Sequence, residues 1–168
     1  MKNNPSYLFN LKRSKEMKNE IKISKSFEGL QLKDGVYHYS GDLKIDGNAS
    51  IYEHLIIDGD VVVAGNLTCH KDLKVLGSIF VYGDLTAAGN VSADKVIVNG
   101  DVSINENLDV ELFCVLGNIT VDGNMKTRRV SSCYGSLKTY NLVSDDRIYV
   151  DGNIDIKGKK YRPLIMGI

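Results

Sequence analysis

The chain has 168 residues, 43% apolar and 25% charged, with a formal net charge of zero. This composition excludes a disordered polymer and a bundle of membrane-spanning helices, and the length suits one domain with a real core. Charge is unevenly placed: residues 1–28 hold seven Lys/Arg against three Glu, residues 157–162 hold four Lys/Arg, and the stretch between holds ten basic and eighteen acidic residues. An acidic body with basic ends makes nucleic acid an unlikely partner, because binding a duplex requires cations to displace the counterions around its phosphates.

Residues 1–28 form a basic arm, expected to be part helical or docked on the body, and contact with a membrane surface through it stays open. Its opening, "MKNNPSYLFNLKRSKEMKN", lacks the unbroken apolar stretch of a signal peptide. Cys69, Cys114 and Cys133 are an odd number without C-x-x-C spacing, which argues against a disulfide framework and a zinc site. A reducing, cytoplasmic setting is the expectation.

From Gly29 to Gly158 the chain divides into hexads such as GDLKID, GDVVVA, GSIFVY and GNITVD, and 15 of the 16 glycines fall in starting slots. Third and fifth positions are mostly apolar (Leu43 and Ile45, Val61 and Val63, Ile79 and Val81), an alternation that marks strands with one inward face. Gly29, Gly47, Gly65, Gly83, Gly100, Gly117, Gly135 and Gly152 form a column spaced 17 or 18 residues apart. The short steps come from the pentads KVIVN, LFCVL and RIYVD, which always precede that column. The pattern predicts an all-β chain: a single parallel β-helix of triangular section over residues 29–158, with roughly seven coils about 4.8 Å apart. The column glycines are read as corners where a missing Cβ permits positive φ, with the following Asn, Asp or Ser suited to tight turns and to ladders.

The repeat removes two chemical readings. No glycine-rich turn here is a G-x-x-x-x-G-K-[ST] phosphate loop, and "IDGDVVVAG" lacks the spaced ligands and closing Glu of a calcium loop. No metal or cofactor is therefore expected. His54 falls over Asp72 in the stacking register with His70 nearby, a pair that suits a general base and its orienter or, more simply, a solvated contact. Cys69 and Cys133 occupy inward slots as small core residues, while Cys114 points outward.

Outward slots separate the three sides. One side reads Ser50, Thr68, Thr86, Ser103, Thr120 beside Asn48, Asn66, Asp84, Asp101 and Asn118, a hydroxyl-rich face expected to be solvated. A second carries His54, Asp72, Lys74, Asp109, Glu111, Lys126 and Arg128, an ordinary charged exterior. On the third, the middle column runs Lys44, Val62, Phe80, Ile97, Cys114, Ser132, Tyr149, and the next adds Ala64, Tyr82, Leu116 and Tyr134. Apolar side chains where a strand should meet water mark an interface. Two covers stay open for it: contact with a protein, or the chain's own Tyr7, Leu8, Phe9, Leu11, Met17 and Ile21 together with "PLIMGI". Residues 159–168 are read as a cap, with "YRPLIMGI" folding over one end of the rod.

Hexapeptide-repeat acyltransferases place glycine directly after a large aliphatic residue, whereas here a polar residue intervenes, as in Ile45-Asp46-Gly47. The stretches "GDLKIDGNASI", "DLKVLGSIFVYGDLTAAGNVSADKVIVNGDV" and "VLGNITVDGNM" resemble bactofilins, the bacterial polymer-forming β-helix proteins. That resemblance implies a right-handed β-helix, polymerisation through terminal coils, and association with membrane or cell-wall machinery. The expected function is a non-enzymatic scaffold that self-associates through its coil ends or the apolar side face. The alternatives are a compact module docking a protein through that face and, further off, an acyltransferase-like enzyme.

Overall fold

The computed structural model describes residues 20–161 and 165–167. Tyr7, Leu8, Phe9, Leu11, Met17 and Pro163 lie outside them. The described residues form twenty-one strands, of which only Leu30–Lys33 and Val36–Tyr39 pair antiparallel. All other pairings are parallel and join residues 17 or 18 apart, save Glu20–Ile23 with Asn48–Ile51 at 28, so the chain winds as a β-solenoid of about seven coils.

Three strand columns make three sides. The hydroxyl side stacks Asn48–Ile51, Leu67–Cys69, Leu85–Ala87 and Val102–Ile104, the charged side Leu55–Ile57 and Leu73–Val75, and the apolar side Leu43–Ile45, Val61–Val63 and Ser78–Val81. Inward residues fill the axis completely: Ile57, Val61, Val63, Ile79, Leu85, Val96 and Val110 are fully buried. Each such aliphatic side chain contributes about 1.5–3 kcal/mol by leaving water. Repeating that contribution in every coil is what lets strands of three or four residues persist.

The corners are built differently from expectation. Among the described residues positive φ occurs only at Gly29, Asp34, Gly35 and Gly41, all near the N-terminal end, so the other described corner glycines do not serve a left-handed turn. They are required by close stacking. A Cβ on Gly117 would lie 2.5 Å from the Gly100 carbonyl oxygen, and one on Gly135 would lie 2.6 Å from that of Gly117. The same glycines bond through their backbones, Gly83 N–H donating to Gly65 C=O at 3.0 Å and Gly100 to Gly83 at 3.0 Å.

The residue after each glycine carries the other half of the corner. The Asn48 side-chain oxygen accepts from Asn66 N–H (2.8 Å), Asn66 from Asp84 (2.9 Å), Asp84 from Asp101 (2.9 Å) and Asp101 from Asn118 (2.7 Å). A second ladder runs Asp72–Asn90–Asn107–Asn124 with contacts of 2.7–3.2 Å. These side chains satisfy backbone N–H groups that a turn would otherwise leave unpaired. The Asn48–Asn118 column therefore has a structural occupation while remaining largely exposed to solvent.

A third corner, between the charged and apolar sides, uses Gly41, Gly59 and Gly77 with Asp42 and Asp60 and then changes. Beyond it the chain rounds the corner within continuous eight-residue strands, Val91–Val98 and Leu108–Val115. Removing the glycine turn saves one residue, which is why the pentads begin here.

Both ends depart from the expected boundaries. Gly29 lies outside the glycine ladder: it precedes a hairpin, Leu30–Lys33 with Val36–Tyr39, closed by Asp34-Gly35. Positive φ at both turn residues matches the strand twist of a two-residue hairpin. The rung below Asn48–Ile51 is instead Glu20–Ile23, so part of the arm is itself a strand of the solenoid. At the other end Ile165–Gly167 pairs in register with Ile148–Val150. The described part of "YRPLIMGI" thus adds a rung to the apolar side rather than folding over the end, because an open strand edge is best satisfied by another strand.

The last coils hold hydroxyls where the earlier ones hold hydrocarbon. Thr127, Ser131, Thr139 and Ser144 are buried. Thr127 and Ser131 hydroxyls lie 2.9 Å apart, Thr127 donates to Glu111 C=O (3.0 Å), and Ser131 accepts from Phe113 N–H (3.2 Å). No buried side-chain oxygen or nitrogen lacks a partner among the described residues.

Candidate functional site

Strand register aligns the apolar side residue by residue. Lys44 pairs with Val62, Val62 with Phe80, Phe80 with Ile97, Ile97 with Cys114, Cys114 with Ser132 and Ser132 with Tyr149. Each sits between two inward residues, so period two turns it outward. Val62, Ala64, Phe80, Ile97, Cys114 and Tyr149 are half-buried, chiefly against one another, while Tyr82, Leu116 and Tyr134 are 58%, 52% and 51% exposed. Val62, Phe80, Val81, Tyr82, Ile97 and Asn99 line a shallow groove of about 270 Å³.

The face has a third column. Ser78, Lys95 and Leu112 stand in register two residues before the middle column, and Val130, 43% exposed, stands two before Ser132. Leu112 and Val130 widen the apolar strip in the fifth and sixth coils. Leu112 is hard to place from sequence because its pentad, LFCVL, shifts the slot count, and Val130 because the arginine before it stands where a corner glycine is expected. Aligning the pentads on their inward valines, Val96 and Val98 with Val115, recovers Leu112.

Charge closes the strip at both ends. In the first coil Asp42, Lys44 and Asp46 share the face, with Lys44 Nζ 3.5 Å from Asp42. Asp42 is held below the usual carboxylate range, first by the N–H of Asp60 and then by Lys44. In the seventh coil Arg147 and Asp151 flank Tyr149.

The charged side holds local pairs. His54 Nδ1 lies 3.1 Å from Asp72, whose carboxyl is held below its ordinary range chiefly by the backbone N–H of Asn90, with Asn90's side chain and His54 adding to it. Asp72 is thereby committed to the corner ladder, and both partners are about half exposed. His70 does not join the pair: its ring stacks on Tyr52 at 4.4 Å. Arg128 bridges Asp109 (2.7 Å) and Glu111 (3.4 Å) and donates to Val110 C=O (3.3 Å), a clamp between coils. Among the described residues, no three His, Cys, Asp or Glu cluster as metal ligands would.

Of the thiols, burial pushes Cys69 up to about 12 and Cys133 up to about 11, so both are core groups. Cys114 alone opens onto the apolar face. The geometry thus separates a hydroxyl face, a face of ion pairs and an apolar face. Leu32, Leu76 and Tyr140 are also more than half exposed elsewhere, but the apolar face alone stacks such side chains through successive coils among the described residues. No family model matches the chain, and no curated protein or solved structure matches it.

Proposed function

We propose that this protein is a non-enzymatic scaffold that self-associates, a bactofilin-like rod whose contacts are made by the apolar side and the coil ends. One observation carries the reading: apolar and aromatic side chains continue through successive coils of one outward face, with Tyr82, Leu116 and Tyr134 more than half exposed. A contiguous apolar patch of this extent is a binding surface. The ends support it too, since Ile154 and Ile156 in the last hydroxyl-side strand are only half-buried and that strand's outer edge has no partner among the described residues. No helix among the described residues is long and apolar enough to cross a membrane.

A second reading is favoured by the groove around Phe80 and Tyr82, whose concave shape suits a side chain of a different protein. Sedimentation of the purified full chain across concentrations, with negative-stain imaging, decides between them. Concentration-dependent growth in mass supports the scaffold; a monomer at every concentration rejects it and leaves docking of another protein.

A further inference from the structure

We infer that the apolar side pairs with the same side of a second copy, the two rods lying parallel about a two-fold axis that runs along them between the faces. The inference rests on the self-association reading and specifies its partner and geometry. Under this symmetry every coil faces itself, and a residue preceding the middle column meets the residue following it. Leu112 then meets Leu116, Val130 meets Tyr134, Lys95 meets Asn99 and Arg147 meets Asp151. In the middle column Ile97 and Phe80 meet their own copies. At the first coil Asp42 faces Asp46 and Lys44 faces its own copy, each Lys44 Nζ standing 3.5 Å from its own Asp42.

Turning one rod end for end pairs the strip less well. Each arrangement has one gain, Arg147 on Asp151 or Asp42 on Arg147. With Ile97 at the centre, however, the end-for-end one sets Lys95 on Lys95 in the middle rung besides Asp46 on Asp151. The parallel one confines its like pairs to the terminal first coil, where solvent screens them. Like charges brought together at an interface cost affinity and select against that register. The size is adequate. Seven rungs about 4.8 Å apart and three columns about 7 Å apart span roughly 34 by 20 Å, comparable to the ~800 Å² a specific pair buries per partner.

The native thiols supply the test, because Cys114 is the one opening onto the strip. The full chain is treated with a bismaleimide able to span facing sheets about 10 Å apart. A second sample carries Val62→Cys with Cys114→Ser, and a third Tyr149→Cys with Cys114→Ser in case the second does not fold. Parallel pairing gives a covalent dimer through residue 114 in the native chain and through residue 62 or 149 in the variants. End-for-end pairing holds the two residues 62 about 19 Å apart along the rods, so a dimer through 114 with none through 62 or 149 overturns the parallel arrangement. No covalent dimer from any sample, in protein that still sediments above monomer mass, overturns face pairing while leaving association through the ends. Monomer sedimentation throughout removes both the pairing and the reading beneath it. A monomer whose Cys114 also resists a single-ended maleimide identifies cover by residues 1–19 or a bound partner, and equally overturns it.

Discussion

The hydroxyl side and the apolar side share one backbone plan and one register, yet they present opposite chemistry to water. Thr86 and Phe80 occupy equivalent outward positions in the same coil, and their inward neighbours, Leu85 and Ile79, are both fully buried. The solenoid is therefore specified by its inward columns and corners, and the outward columns are free to encode contact. Where one outward column is Ser and Thr and another runs Val62, Phe80, Ile97 and Cys114, the difference, under the proposed function, reflects what each face meets rather than what folds the rod.

The largest effect belongs to the corners that both sides share. Gly117→Ala places a Cβ 2.5 Å from the Gly100 carbonyl oxygen, and the coils must part to admit it. A loss of about 3 kcal/mol is expected in urea unfolding. A loss below about 0.5 kcal/mol contradicts the stacking account of the corner glycines. Phe80→Asp comes next and breaks the symmetry between faces. It is expected to weaken self-association by about 2 kcal/mol or more, read as a rightward shift of the dimerisation isotherm, while the monomer's unfolding midpoint changes little.

The repeat was legible because its glycines and Asx residues recur at 17 or 18 residues, and stacked coils reuse one corner geometry. The Lys44–Tyr149 column could be written down for the same reason: once the coil length is known, register follows. Asp34-Gly35 was harder to read. The same dipeptide stands at Asp58-Gly59, Asp122-Gly123 and Asp151-Gly152, where a neighbouring coil holds the chain in a corner. At the rod's end the strand turns back on itself instead. Thr127 and Ser131 also escaped, since an inward hydroxyl is recognisable only with its carbonyl and hydroxyl partners at hand. Gly29 apart, the column glycines sit at corners as read, but the reason differs: what excludes a side chain is the coil beneath, which lies 17 or 18 residues away in sequence.

Smaller effects sharpen the separation between corner and face. Asn107→Ala removes an acceptor for Asn124 N–H (2.8 Å) and a donor to Asn90 (2.8 Å). It should destabilise by about 1 kcal/mol without altering association, measured by thermal unfolding beside sedimentation. The smallest change concerns acid. Because Asp72 is held below its ordinary value of 3.8 in the folded chain, its contribution is complete above that value and is lost as pH falls through the lower folded one. Asp72→Asn should therefore flatten the acid limb of the stability curve slightly, by less than about 1 kcal/mol at this half-exposed site. An unchanged limb would show that the carboxylate carries no stability.

The contrast between Phe80 and Thr86 is the most direct test of the whole account. Sedimentation velocity on the native chain, Phe80→Asp and Thr86→Asp at matched concentrations compares one added charge on two equivalent positions. The native chain and Thr86→Asp should associate alike, and Phe80→Asp should run as a folded monomer. Equal association of all three, or loss of it in Thr86→Asp alone, would contradict the assignment of the apolar side as the surface on which this protein acts.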